Sequence, residues 1–470
     1  AMAGWHDRFG CRDRFAVDLR LLLSLVSHTR HPLGGGCVGG APSRRYTEGM
    51  DATVRNVAIG AALAGLAAVG VVVSLKTGRD GRSLGPTSPP GANQPDRRPR
   101  AVPVDARWPI FRGEASLTGQ ADGNLSLPLQ LQWRRKLVAD PGPTAGASAP
   151  VVGDGRVFVG TDDGTVVAMD LATGQPKWTA QADAAVDAPP LLHAGRVYVG
   201  SRDTRFYCLD ARTGEVLWKR PAGGEIEGGA NVLPAADGNG ELIVFGCYDQ
   251  KVYALDSQTG RPVWTLDAGD YVVPAPAVSN GRLAIGSCGK NLYVGAPDGQ
   301  WVGRLEVGQF VVAPAALAEG VAYFGDFRGV FRAVDLTTMQ ENWRVELARE
   351  GDADVPIRSP ATVWAARVCF GADDGVLRCL DTRTGQELWR VRGDKAVTAG
   401  AVEVGGRLVV AGQDGRLRAV AAADGEELWR YDLGVALASS PAVAGGWVIV
   451  HARDGAVYAF APPAEPRRGE

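Results

Sequence analysis

The chain has 470 residues, 45% of them hydrophobic, and 63 are glycine. It can bury a large core, and short apolar runs punctuated by glycine favour an all-β reading. The net charge of −2 conceals an asymmetry: residues 1–107 carry 15 Lys/Arg against 8 Asp/Glu, and residues 108–470 carry 35 against 44. An acidic body lacks the clustered basic surface that a phosphate backbone demands, which excludes nucleic acid as the main partner.

Residues 1–49 are arginine-rich and irregular, and Met50 directly after them offers an alternative start. We read 1–49 as an N-terminal extension. Residues 56–75 (NVAIGAALAGLAAVGVVVSL) are uncharged, long enough to span a bilayer as a helix. No A-x-A site follows the run, so residues 50–75 read as a transmembrane signal anchor, not a cleaved signal peptide. Residues 76–107 are rich in Pro, Gly, Ser and Arg and form a tether without core-building content. Residues 464–470 are a charged tail.

From residue 108 to 463 the chain repeats itself. Trp133, Trp178, Trp218, Trp264, Trp301, Trp343, Trp389 and Trp429 follow one another at intervals of 37 to 46 residues. That period, with glycine-punctuated apolar runs, predicts a β-propeller with one four-stranded antiparallel blade per unit. The second strand of each unit is apolar at consecutive positions (RVFVG, RVYVG, LIVFG, LAIG, AYFG, VCFG, LVVAG, WVIVH), which means that both its faces are covered. Turns after it read TDDG, ADDG, QDG and RDG, sequences that tolerate the positive φ of tight hairpins. The last unit has three strands and no terminal tryptophan, while LPLQLQWRRKL (127–137) is a tryptophan strand with nothing before it. We therefore expect 127–137 to complete the last blade, giving eight blades with no open ring edge.

Within each unit a second pattern recurs: AMDLATGQPKW, CLDARTGEVLW, ALDSQTGRPVW and CLDTRTGQELW. Asp170, Asp210, Asp256 and Asp381 stand where a carboxylate can accept backbone N–H groups in the following turn. Gly174, Gly214, Gly260 and Gly385 stand where the turn needs positive φ, and each tryptophan can fill the wedge between blades. A catalytic group is needed once, so a group present in nearly every unit is architecture. Unit four is shortened, unit five has Met339 for the glycine, and unit seven has Ala421 for the aspartate; these departures are expected to loosen local turns.

The A-x-D-x-x-T-G-x-x-x-W unit resembles the repeat of the quinoprotein-like β-propellers, which include the pyrroloquinoline quinone (PQQ) dehydrogenases and non-catalytic members such as the outer-membrane assembly lipoprotein BamB. The opening WPIFRG (108–113) is similar to the start of many bacterial PQQ-like repeat proteins. The catalytic branch implies adjacent cysteines in a disulfide, a Ca²⁺ site of Glu, Asn and Asp, and a catalytic Asp. Here no two cysteines are adjacent. His193 and His451 do not cluster, and zinc-type spacing and phosphate-binding loops are absent. We expect no catalytic residues, metal site or cofactor; PQQ with calcium belongs only to an alternative oxidoreductase reading. Together with the anchor read from residues 56–75, a feature in which the chain departs from BamB, the resemblance implies a bacterial, extracytoplasmic or periplasmic scaffold that binds protein partners through its inter-blade loops. A sensor or carbohydrate-binding module is a further alternative. Tyr271 and Phe310, in adjacent inter-blade loops, are candidate partner contacts. The acidic loops around Asp183, Asp187, Glu225, Glu227, Asp352 and Asp354 can bind Ca²⁺ and otherwise read as a solvated rim.

Overall fold

The structure, a computed structural model, describes residues 102–103, 106–139, 148–348, 353–437 and 439–463. The expected extension, anchor and tail, and nearly all of the tether, lie outside the described residues. Among the described residues no helix is long and apolar enough to cross a membrane.

Eight antiparallel sheets follow one another along the chain, at 151–181, 191–221, 231–267, 277–306, 316–346, 362–392, 402–432 and 442–461. They are blades 1 to 8, each running from an inner to an outer strand. Blade 8 takes its outer strand from Gln130–Lys136, which pairs antiparallel with Ala456–Ala461 and sets Trp133 opposite Ala459. The ring is closed as the sequence implies. In the second strands nearly every residue is buried, as in Arg156–Gly160 and Arg367–Gly371, because both faces of a blade pack on neighbours. Phe206 stacks on Phe245 across blades 2 and 3 at 4.1 Å, and Phe331 on Phe370 across blades 5 and 6 at 3.9 Å. The described cysteines Cys208, Cys247, Cys288, Cys369 and Cys379 are in no disulfide and are buried in this packing.

The repeated motif does what its residue types allow. Asp256 Oδ1 accepts the Thr259 amide at 2.8 Å and hydroxyl at 2.6 Å; Asp170, Asp210 and Asp381 receive the same pair of bonds. Five of the tryptophans reach into the next blade and donate Nε1 to a carbonyl there: Trp133 to Leu171, Trp178 to Ala211, Trp218 to Gln258, Trp264 to Pro297 and Trp343 to Thr382. Each of these rings lies over the glycine of that blade's turn. A Cβ on Gly174 would sit 2.5 Å from Trp133, and one on Gly214, Gly260 or Gly385 at 2.6 to 2.7 Å from Trp178, Trp218 or Trp343. These glycines are thus required twice, for positive φ and for the ring above them. Trp389 lies likewise over Gly425, while Trp429, facing the blade without this turn, packs edge-on against Phe460.

The departures in units five and seven do not loosen their turns, contrary to expectation, while the shortened turn of unit four closes through a different bond, from the Gly299 amide to the Ala296 carbonyl at 3.1 Å. The bond from the Gly260 amide to the Asp256 carbonyl, 2.8 Å, recurs from Met339 to Asp335 at 2.8 Å and from Gly425 to Ala421 at 2.9 Å. Met339 holds φ +56°, and its side chain lies over Gly303 of blade 4. Trp301 has turned back, donating to Asp267 at 2.7 Å and packing on Tyr293 at 4.8 Å.

Residues 108–121 form an axial strap that the repeat does not announce. Inner strands have an edge facing the axis, and their N–H groups need acceptors. The strap supplies them. Carbonyls of Trp108, Pro109, Ala115, Ser116, Thr118 and Gly119 accept the amides of Val152, Leu192, Val278, Leu317, Val363 and Glu403, the middle inner-strand residues of blades 1, 2, 4, 5, 6 and 7. Asn231 of blade 3 reaches the Ala115 carbonyl with its side chain at 2.7 Å. Gln120–Ala121 joins blade 7 as a parallel inner strand.

Gly260→Ala and Gly269→Ala separate the two roles of the turn glycine. Both sites have positive φ, but nothing lies within 4 Å of a Cβ on Gly269. Gly269→Ala is expected to cost about 1 kcal/mol from backbone strain. Gly260→Ala should cost a further ~1–3 kcal/mol for overpacking against Trp218. Chemical unfolding midpoints measure the difference, and equal losses would remove the wedge role.

Candidate functional site at the loop face

One face of the ring carries the inter-blade loops and the turns between second and third strands; the other carries the Asp–Thr–Gly turns. On the loop face each loop is tied to a turn by a main-chain bond. The amides of Arg202, Tyr248, Cys288, Phe327, Asp373, Gln413 and Arg453 donate to the carbonyls of Ala185, Glu225, Tyr271, Phe310, Pro356, Ala396 and Ala436. This places one loop side chain beside one turn side chain in blade after blade, and their identities divide the face into sectors.

In blades 2 and 3 the sector is ionic. Arg202 contacts Asp187 at 2.7 Å and Glu227 at 2.6 Å, and the Tyr248 hydroxyl donates to Glu227 at 2.9 Å. The acidic rim is therefore not simply solvated: the Asp187 and Glu227 side chains are only 13% and 14% exposed. Asp183, at 72%, does stand in solvent, paired to Arg205, and Asp352 lies outside the described residues. Across blades 3 to 5 an aromatic arc follows. Tyr248 faces Tyr271 at 5.3 Å, and Phe310 meets Phe327 edge-on at 6.3 Å beneath the Lys290 ammonium. All four rings are half-buried. In blades 6 and 7 the face is polar: Arg358 holds Asp373 through two bonds of 3.0 and 2.6 Å, and Gln413 donates to Thr398. Towards blade 8, Ser439 donates to the carbonyl of His451, a histidine that burial holds below its usual pKa.

The axis at this face is a depression of about 190 Å³, lined among others by Phe111, Asp187, Arg358, Thr398, Ser439 and Ser440. The strap is its floor. Behind Phe111, Arg112 is fully buried, donating to the Ala361 carbonyl at 3.1 Å and to the Thr362 hydroxyl at 2.9 Å. Burial pushes its pKa down to about 9, so it remains a cation at neutral pH. A second cavity, about 400 Å³, lies between blades 4 and 5, with Gln309, Arg328, Arg332, Arg344 and Glu346 in its wall.

Of the residues singled out from sequence, the structure places the tryptophans, aspartates and glycines at blade junctions away from both cavities. It brings Tyr271 and Phe310 onto one face, each beside an aromatic partner that the sequence reading passed over. Tyr248 and Phe327 were detectable in the second position of the turn after the second strand, as were Arg202 and Asp373, had the eight turns been compared side by side.

Ring, repeat and turn define a PQQ-type propeller. The sequence model of outer membrane protein assembly factor BamB matches residues 130–270, 248–371 and 373–463, and the chain belongs to that family. Searching curated proteins gives no match. Among solved structures it is similar to the quinohemoprotein alcohol dehydrogenase of Comamonas testosteroni, at 17% identity over 77% of this chain and 82% of that one, with a TM-score of 0.64. It is also similar to a europium-containing methanol dehydrogenase, at 15% identity over 76% of this chain and 98% of that one, TM-score 0.59, and to the computationally designed Ika8 protein, at 20% over 69% and 99%, TM-score 0.58. At such identities the likeness is one of fold.

Among the described residues, the axial depression is a poor match to a quinone site. Ligand pockets usually enclose about 300–1,000 Å³, and the axial depression is smaller because the chain's own strap fills the ring. The described cysteines nearest to a pair, Cys369 and Cys379, face each other across two strands instead of adjoining in sequence. Among the described residues no three His, Cys, Asp or Glu side chains converge as metal ligands.

Titration is expected to separate the face from the frame. Burial holds the Glu227 and Asp373 carboxyls above their usual range, so protonation favours the folded state and their pairs with Arg202 and Arg358 open first as pH falls. Bonds from Thr259 and from the Thr213, Thr338 and Thr384 amides hold Asp256, Asp210, Asp335 and Asp381 below theirs. Their contribution is present above about pH 4 and is lost as pH drops through the lowered values. Near-UV circular dichroism should change before far-UV ellipticity does; simultaneous change would contradict this order.

Proposed function

We propose that the chain is a non-catalytic, protein-binding scaffold, tethered to a bacterial membrane by residues 56–75 and presenting the loop face of its propeller on the extracytoplasmic side. The observation that carries this reading is the half-buried arc of Tyr248, Tyr271, Phe310 and Phe327. Aromatic residues with one face packed and one face open are the usual anchors of protein interfaces, because they contribute large contact area at little entropic cost. Membership of the BamB family supports the same reading, as does an axis filled by main chain. The mild acidity of residues 108–470 favours a protein over a nucleic acid.

Two experiments bear on it. Tyr271→Ser with Phe310→Ser should abolish recovery of the specific partner in affinity purification from membranes, whereas Val216→Ser with Leu217→Ser, exposed on the outer strand of blade 2, should leave it intact. Unchanged recovery with the first pair would count against the arc. Purified protein mixed with PQQ and Ca²⁺ should show no quinone absorbance after desalting. A retained band, or dye reduction with alcohols, would overturn the non-catalytic assignment.

A further inference from the structure

Eight copies of one blade provide an internal standard, and blades 4 and 5 depart from it together. The third residue of the turn between second and third strands is aspartate in six blades: Asp163, Asp203, Asp249, Asp374, Asp414 and Asp454. In five of these it accepts a bond from the third-strand residue four positions on: Tyr207, Tyr253, Arg378, Arg418 or Tyr458. Blade 4 has Gly289 there and blade 5 has Arg328. In blade 5 the carboxylate has moved back two residues to Asp326, which is fully buried and accepts Arg332 Nη1 at 2.6 Å, while Arg332 Nε donates to Glu341 at 2.7 Å. Arg332 is thereby answered by two carboxylates.

The other two arginines of the 400 Å³ cavity are not held in this way. Arg328 is 51% exposed with Asp354 at 3.9 Å; Arg344 is 57% exposed with Glu341 at 3.8 Å and Glu346 at 3.4 Å. Charge-assisted bonds close at about 2.7–2.9 Å, so these pairs are loose, and exposed pairs are cheap to exchange. We propose that the cavity between blades 4 and 5 binds a small ligand bearing an oxyanion, a carboxylate or a phosphate. Arg328 and Arg344 take the anion, and the Gln309 amide sits in the same wall for a neighbouring polar group. On binding, Arg344 exchanges Glu346 for the ligand. The site is separate from the axial depression and adjoins the Phe310–Phe327 end of the aromatic arc.

Calorimetric titration of the full chain with citrate and with inorganic phosphate, in a non-coordinating buffer with glucose as the neutral control, tests this. One of the two anions should bind saturably and glucose should not; which anion binds identifies the source. Arg328→Gln and Arg344→Gln should each weaken binding at least about tenfold, the scale of a charge-assisted bond, and added salt should weaken it further. Glu346→Gln should strengthen it. Arg430→Gln is the control: Arg430 also follows its blade's tryptophan and is 64% exposed, but its turn carries Asp414, and its loss should leave binding unchanged. Absence of saturable binding by either anion, or equal weakening by Arg430→Gln, would overturn the site.

Discussion

The ring depends on one contact made again and again: an indole on the outer strand of one blade lying on a glycine in the next. Each sheet alone has two apolar faces and cannot be stable in water. Burying it requires a neighbour at a fixed angle, and the angle is fixed from outside by the ring of a tryptophan and its Nε1 bond. Burial of such a side chain contributes roughly 2–3 kcal/mol, yet its greater effect is geometric, because it sets the wedge that lets eight sheets close. Where Met339 takes the glycine's place, Trp301 turns back to its own side and Met339 fills the gap over Gly303. The two departures compensate one another, which is why neither disturbs the turn.

A second constraint acts at the centre. Inner strands present amides to the axis, and a wide ring must satisfy them with water, a ligand or its own chain. Here the chain does so with carbonyls of residues 108–119. The same segment that completes the inner edge also occupies the middle of the ring. What remains available on the loop face is its rim, where ionic, aromatic and polar sectors follow one another around the ring.

Much of the frame was legible because it repeats. The tryptophan interval, the doubly buried second strands and the orphan strand before the first complete unit led directly to eight blades and to their closure. Asp256 and Gly260 could be recognised as turn formers since the same pair recurs in other units. The strap was not legible beyond the faint signature WPIFRG, because a segment that pairs through main-chain carbonyls leaves no periodic side-chain pattern. The cavity between blades 4 and 5 was hidden for a related reason. It arises from a carboxylate displaced by two positions, from the third turn residue to Asp326, and only the partner Arg332 reveals that the displacement is compensated. Acidic loops that read as solvated proved partly locked, since the sequence does not say that Arg202 stands between Asp187 and Glu227.

The path of the strap bears on timing. Residues 120–121 pair with blade 7, and residues 130–136 with the last strand of blade 8. The earliest part of the propeller to leave the ribosome therefore waits for the latest. The strap's acceptors are filled one by one as the blades up to blade 7 appear, but until the final strand arrives the Trp133 strand has no permanent partner, and the blades already made form an open arc with two apolar ends. Closure of such a ring is a single late event, so the incomplete arc stays exposed to aggregation for as long as synthesis of the chain takes.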